Sequence, residues 1–401
     1  MEVQQKYLKK TGLIALIAVM NMVVPLSLDM YLPAVPQMTQ VFNTSESVVN
    51  ITLVGFFFFM AVGILLFGPL SDKYGRKPML MAGTCIYMIF SGACALAPSV
   101  GFLIGSRIIQ ALGAGCMVAV STALIKDCFE RQTRDVVLAV VQAMAVIAPM
   151  VAPVAGAWIV TLSGWRATFW LLAIIALLCL VAVAFLQETL PSEERESISV
   201  LKSLGGLIKV GKNPGFSLFL LSVGVLSAPY MAYISVCSYI YIDFFALSET
   251  TYSYYFAINS AASILGPLLY LKVTKRIGGI SFMNAAVIIS IICGFMLIFF
   301  GSIAPIIFLL CFIPFTVMES AVRPFSTAIL LNQQERDTGS ASALINFTHT
   351  ALGSFGMLLG AAGWSSFILG LGIILAGGAI LALLAWLILL KSGIRIKGIK
   401  D

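Results

Sequence analysis

At 401 residues the chain is long enough for two or three soluble domains, but 60% hydrophobic residues, 10% charged residues and a mean hydropathy of +1.03 exclude that class. The composition is that of a polytopic membrane protein. The net charge of +7 is not a nucleic-acid footprint, because of 24 Lys and Arg residues all but Arg107, Arg166 and Arg323 fall in segments assigned to the cytoplasm, which is a topology signal.

Hydropathy places twelve apolar spans at roughly 11–33, 48–70, 79–97, 101–125, 136–160, 167–187, 215–240, 252–271, 281–302, 305–330, 340–362 and 365–390. The opening MEVQQKYLKK and the run after it read as a retained first helix rather than a signal peptide, since the run includes Asp29 and lacks a small-residue cleavage site. Lys6, Lys9 and Lys10 before span 1, Lys126, Arg131 and Arg134 after span 4, and Lys272, Lys275 and Arg276 after span 8 predict that both termini are cytoplasmic. Seven of the eight cysteines fall inside spans and Cys128 in a loop; no metal spacing or disulfide framework is present, so packing roles are expected.

Intramembrane charges cost about 2.5–3.5 kcal/mol each on insertion scales and are therefore functional candidates. Asp29 lies in span 1 within DMYLPAVPQM, Arg107 in span 4 within RIIQALGAG, and Glu319 and Arg323 in span 10. Burial disfavours a charged carboxylate and a neighbouring Arg favours it, so Asp29, balanced between these effects, is the candidate proton-binding group; the alternative is a static ion pair with Arg107 or a helix-terminal cap. Arg107 and Gln110 share a helix face, with Gly113 and Gly115 allowing close backbone approach; a plainer role for Arg107 is to snorkel to the outer interface. Glu319 and Arg323, at i and i+4, are expected to form a structural pair.

Between spans 2 and 3, GPLSDKYGRKP, residues 68–78, forms a tight cytoplasmic turn: Gly68 and Pro69 are predicted to end one helix, Gly75 to reverse the chain and Pro78 to suit the next first turn, with Asp72 and Arg76 as its gating charges. In span 5, Ala148, Ala152 and Gly156 recur every four residues and Pro149 and Pro153 bend the helix, so that another helix can approach closely.

The polar stretch 188–214 separates an N-terminal six-helix bundle, 1–190, from a C-terminal bundle, 214–401, through a linker at 191–213. Ile198, Leu201, Leu204, Leu207 and Ile208 fall near helical spacing there, which suits either an amphipathic surface helix or a mere tether. Gly266-Pro267-Leu268 repeats Gly68-Pro69-Leu70 198 residues later, with Tyr270 at the place of Asp72. Two halves related by such a repeat are the arrangement of a transporter with its site between them. Polar residues inside apolar spans, Asn21, Tyr31, Gln110, Tyr230, Tyr233, Asn259, Asn346 and His349, join Asp29 as candidate substrate contacts; a helix-to-helix hydrogen bond is the plainer reading of any one of them.

GPLSDKYGRKP resembles the signature loop of the major facilitator superfamily, and RIIQALGAG resembles its second signature, with Ala111 where Gly is frequent. APMVAPVAG, residues 148–156, is similar to the antiporter signature of drug exporters, with Ala148 for the usual Gly. Together with DMYLPAVP, KDCF at 126–129 and GWRATFW at 164–170, these stretches resemble the bicyclomycin/chloramphenicol-resistance subfamily of drug:proton antiporters, most strongly in the first half; Lys126 stands where that subfamily commonly has Arg. The resemblance implies an all-α major facilitator fold of twelve transmembrane helices in two pseudo-symmetric bundles, and export of small amphiphilic drugs from the cytoplasm across a bacterial inner membrane. It implies a role for Arg107 in proton coupling, no cofactor beyond the proton gradient, and a monomer with no nucleic-acid or metal partner. Asn21, where related cation exporters carry an acid, implies neutral or zwitterionic cargo. Export of a natural metabolite such as an amino acid or sugar is the alternative. A membrane enzyme is disfavoured by the lack of paired ligands or a nucleophile constellation, and a sensor by the lack of a signalling domain.

Overall fold

In hydrocarbon a backbone must satisfy its own polar groups, and helices do so within one segment. Every element among the described residues is accordingly helical. The structure is a computed structural model and describes residues 7–191, 193, 195, 200–273, 276–333, 338–392 and 394. Lys6, Ile198 and Lys275, which figure in the topology, linker and repeat expectations, lie outside them.

The chain forms two units, Met1–Ser203 and Leu204–Asp401. The first contains α1 (Lys10–Asp29), α2 (Val35–Val41), α3 (Glu46–Tyr74), α4 (Arg76–Ala95), α5 (Val100–Cys128), α6 (Arg131–Ser163) and α7 (Arg166–Ala184). After α8 (Val200–Gly211), the second contains α9 (Pro214–Gly224), α10 (Ser227–Ser238), a π-helical turn at Tyr239–Phe244, α11 (Glu249–Ala262), α12 (Leu265–Val273), α13 (Gly279–Phe300), α14 (Pro305–Asn332), α15 (Thr338–Gly360) and α16 (Phe367–Lys391). Among the described residues eleven helical spans are long and apolar enough to cross a membrane. The expected eleventh span is α15, whose Asn346, Thr348, His349 and Thr350 dilute its hydropathy. Counting it gives the twelve-helix, all-α architecture.

Five features differ from the sequence expectation, most for a local reason. Span 1 is two helices: α1 stops at Asp29, a 3-10 turn occupies Leu32–Ala34, and α2 carries on to Val41. Pro33 and Pro36 cannot donate the backbone bonds a continuous helix needs there. Gly68 and Pro69 do not end a helix, because α3 runs through both to Tyr74 and the reversal is made by Gly75 alone, at φ 100°. A proline within a long packed membrane helix is tolerated where its neighbours hold the axis. Cys128 is the buried last residue of α5 rather than part of a loop, packed with Leu13, Ile17 and Phe129. Spans 7 and 8 are likewise interrupted, ahead of Pro229 and Pro267.

Within the first unit α5 is the central post, packed along α3 on one side and α4 on the other. Its Gly115 lies against the Met60 carbonyl of α3 and its Gly113 against the backbone of Gly83 and Tyr87 in α4. In the second unit Phe216, Phe219, Phe282, Phe325 and Trp386 build an aromatic core. The α8 helix joins that core through Val210, while Ile208, expected on the apolar stripe, is exposed. Gly206 and Gly211 bring α8 close to Ser340 and Leu344 of α15, which sets this rotation.

Candidate functional site

The interruption of the first span leaves Asp29 as the last residue of α1, 5% exposed. Its carboxylate has no hydrogen-bond or ion-pair partner among the described residues, and it makes no ion pair with Arg107. The break is supported from α6, where Gly156 packs directly on the Met30 backbone and a Cβ there would overlap Met30 O. Ala148 and Ala152, also on α6, are fully buried. Of the small-residue stripe, Gly156 is the member that packs on the turn presenting Asp29.

Arg107 is wholly buried, which excludes snorkelling. Its Nη1 donates to Gln110 Oε1 at 2.9 Å and its Nη2 to the Ser27 carbonyl at 3.0 Å. The guanidinium lies 4.2 Å from the Phe56 ring centroid, 5.2 Å from Tyr31 and 5.5 Å from Phe169, so aromatic faces take the place of a counter-ion. The network extends outward: Gln110 Nε2 donates to Ser91 Oγ at 2.7 Å, and Ser91 donates to the Tyr87 carbonyl. Tyr87 Oη lies 2.6 Å from Ser27 Oγ, which already donates to Val23 O, so the tyrosine is the donor. The result ties α1, α3, α4, α5 and α7 to one cation. Ser27, two residues before Asp29, is the joint between this network and the helix break.

Of the expected substrate contacts in this unit, Tyr31 Oη meets Met38 Sδ and Thr52 Oγ1, and Asn21 donates to Ile17 O and, at 3.1 Å, to Ser121 Oγ of α5. In the second unit Asn259 accepts from Thr316 at 2.9 Å, and His349 Nδ1 lies 2.7 Å from Ser227 Oγ. Tyr233 is buried and stacks on Phe312 with centroids 4.3 Å apart, flanked by Phe256 and Phe308. Tyr230 is half-buried and Asn346 is exposed on α15. Arg323 Nε reaches Glu319 Oε1 at 3.1 Å, the structural pair expected of that spacing. Among the described residues no group of three His, Cys, Asp or Glu side chains is placed to hold a metal ion.

A second polar cluster surrounds the Gly75 reversal. Arg76, nearly buried, pairs with Asp72 at 2.6 Å and with Asp127 at 3.0 Å, and donates to Ser71 Oγ. Glu188 accepts from the backbone N–H of Arg76 and Lys77, the first turn of α4, where unpaired amides and the helix dipole favour an anion. Thr189 joins Asp127 at 3.2 Å, and Arg195 lies 3.8 Å from Glu188. Gly68 has open space around it, whereas a Cβ on Gly75 would overlap Glu188 Oε2. Glu188, Ser27, Tyr87 and Ser91 escape sequence reasoning because their partners are far away in the chain.

The Major Facilitator Superfamily model matches residues 17–357. The chain belongs to that superfamily, and it is a transporter. A Bacillus subtilis MFS-type transporter, YdgK, is 29% identical over 86% of this chain and 87% of its own. A Haemophilus influenzae bicyclomycin resistance protein homolog is 25% identical over 70% of this chain and 71% of its own. A Pseudomonas aeruginosa chloramphenicol resistance protein is 36% identical over 39% of this chain and 38% of its own. These relatives agree with the subfamily resemblance. The fold matches a crystal structure of the peptide transporter POT, with a TM-score of 0.78 at 14% identity over 99% of this chain and 98% of that one. It also matches a D-xylose-proton symporter, with a TM-score of 0.70 at 17% identity over 94% and 97%.

Proposed function

We propose that this transporter is a proton-coupled multidrug efflux antiporter of a bacterial inner membrane, a monomer that exports small amphiphilic antibiotics with both termini in the cytoplasm. The observation that carries the reading is Asp29: a buried carboxyl without a partner, at a helix break, joined through Ser27 to a buried arginine. An uncompensated charge in a membrane interior costs about 2.5–3.5 kcal/mol, so the proton on such a group and its access to water are linked. Protonation from outside favours the inward-opening state, and deprotonation accompanies cargo capture from the cytoplasm or inner leaflet. Arg107 holds the Asp29 turn in register during this cycle rather than neutralising it. Asp72 and Arg76 gate the cytoplasmic side, through contacts that exchange between states.

Each charge crossing 100 mV supplies about 2.3 kcal/mol, enough to concentrate a neutral cargo on the order of fifty-fold. Asn21 in place of an acid favours neutral or zwitterionic cargo. The relatives named for bicyclomycin and chloramphenicol resistance support that class.

The test is chloramphenicol accumulation in cells expressing the wild type or Asp29→Asn, with and without a protonophore. Lower accumulation in wild type, reversed by the protonophore and absent in a folded Asp29→Asn variant, is expected. Export that survives both treatments would contradict proton coupling.

A further inference from the structure

The first unit carries an apolar groove lined by none of the candidate site residues. It runs between α1 and α7 and encloses about 460 Å³. Ala15, Val19 and Met22 form one wall at helical spacing, and Ile175, Leu178 and Ala182 form the facing wall. The α1 wall extends from Gly12 to Leu26, about 21 Å at 1.5 Å per residue. One leaflet of a bilayer core is about 15 Å deep, half of the whole, so an acyl chain fits along the groove over its leaflet. Leu178 is 66% exposed, and Ile174 and Val181 beside it are exposed as well, so the groove opens toward the surrounding hydrocarbon.

One end of the groove is basic. Lys9 and Lys10, both exposed, precede Gly12, and Lys10 Nζ reaches Thr133 Oγ1 at 3.1 Å. At the opposite wall Lys77 Nζ lies 2.8 Å from the carbonyl of Ala184, two residues beyond Ala182. Tyr7 and Phe185, ring centroids 6.3 Å apart, bridge this same end. Aromatic rings and lysines at the end of an apolar slot match the headgroup depth of a bilayer, where cations attract anionic lipid.

We infer that the α1–α7 groove is a binding site for an anionic phospholipid, with one acyl chain between the helices and the headgroup against Lys9, Lys10 and Lys77. A zwitterionic lipid of the same chains fills the slot but lacks the net charge that the basic end selects. The inference does not depend on proton coupling or on the identity of the cargo.

Native mass spectrometry of the full-length protein with palmitoyl-oleoyl phosphatidylglycerol or the matching phosphatidylcholine tests it. Retention of one phosphatidylglycerol, about tenfold preferred over phosphatidylcholine, is expected. Lys9→Gln with Lys10→Gln should bring that preference close to unity, and Ala15→Phe with Ala182→Phe should remove the bound lipid of either kind. Because the filled variant could lose its fold, Leu178→Trp in liposomes provides a second readout: brominated phosphatidylglycerol should quench the added fluorescence more than brominated phosphatidylcholine. Equal retention of the two lipids by wild type, equal quenching, or full retention by a folded filled variant overturns the assignment.

Discussion

The two units are built on the same repeat yet solve different problems. In each, the lead helix breaks near a proline, and a glycine from a later helix packs on the broken backbone: Gly156 on Met30 in the first, Gly356 on Ala228 in the second. The contents of the matching positions then diverge. The first unit places a carboxyl and a buried guanidinium beside its break and an ionic cluster at the Gly75 reversal. The second places stacked rings around Tyr233, and at the position equivalent to Asp72 it has Tyr270, packed against Phe282 and Phe325. Beside the two breaks, unpaired charge is concentrated in the first half and stacked rings in the second, and under the proposed function that difference puts proton handling in the first half.

Variants that move one half without the other put this division at risk. The largest effect on export is expected from Arg107→Lys, because an ammonium cannot reproduce the fork that reaches both Gln110 and the Ser27 carbonyl. Export should fall about 100-fold, on the order of 2.8 kcal/mol, measured in energised vesicles with protein level controlled. Phe325→Ala, in the second-unit core, should lower unfolding stability by about 3–5 kcal/mol while leaving drug-linked proton release in the folded fraction intact. Loss of proton release there would blur the division. Gly75→Ala forces a side chain into positive φ and against Glu188, costing about 1–2 kcal/mol, seen as a lower melting temperature in detergent. The smallest effect is expected from Glu188→Gln, about 0.3–1 kcal/mol from the weakened first-turn anion of α4, and high salt should reduce it.

Much of this was legible in the sequence, because long apolar runs leave few choices and Gly75 is the residue that a one-residue reversal requires. The pairing of Glu319 with Arg323 followed from helical spacing, as did the shared helix face of Arg107 and Gln110. Pro33, Pro69 and Pro267 were harder to read, since the same residue breaks one membrane helix and is absorbed in another according to its packing. The partners of Arg107 were hidden for a different reason: Ser27 and the rings of Phe56 and Phe169 meet it only once the helices have packed. Glu188 caps a helix that begins 112 residues earlier, a contact that no local pattern encodes.

Under the proposed function Asp29 exchanges a proton against cargo. That exchange is tested most directly by following proton release from purified protein on adding chloramphenicol, for wild type and Asp29→Asn. Competition of drug and proton for this unit predicts release in wild type, with binding that strengthens as pH rises through the range in which Asp29 titrates, and neither release nor such a pH dependence in Asp29→Asn. Equal release from both proteins would place the coupling carboxyl elsewhere, and drug binding without release from either would contradict antiport.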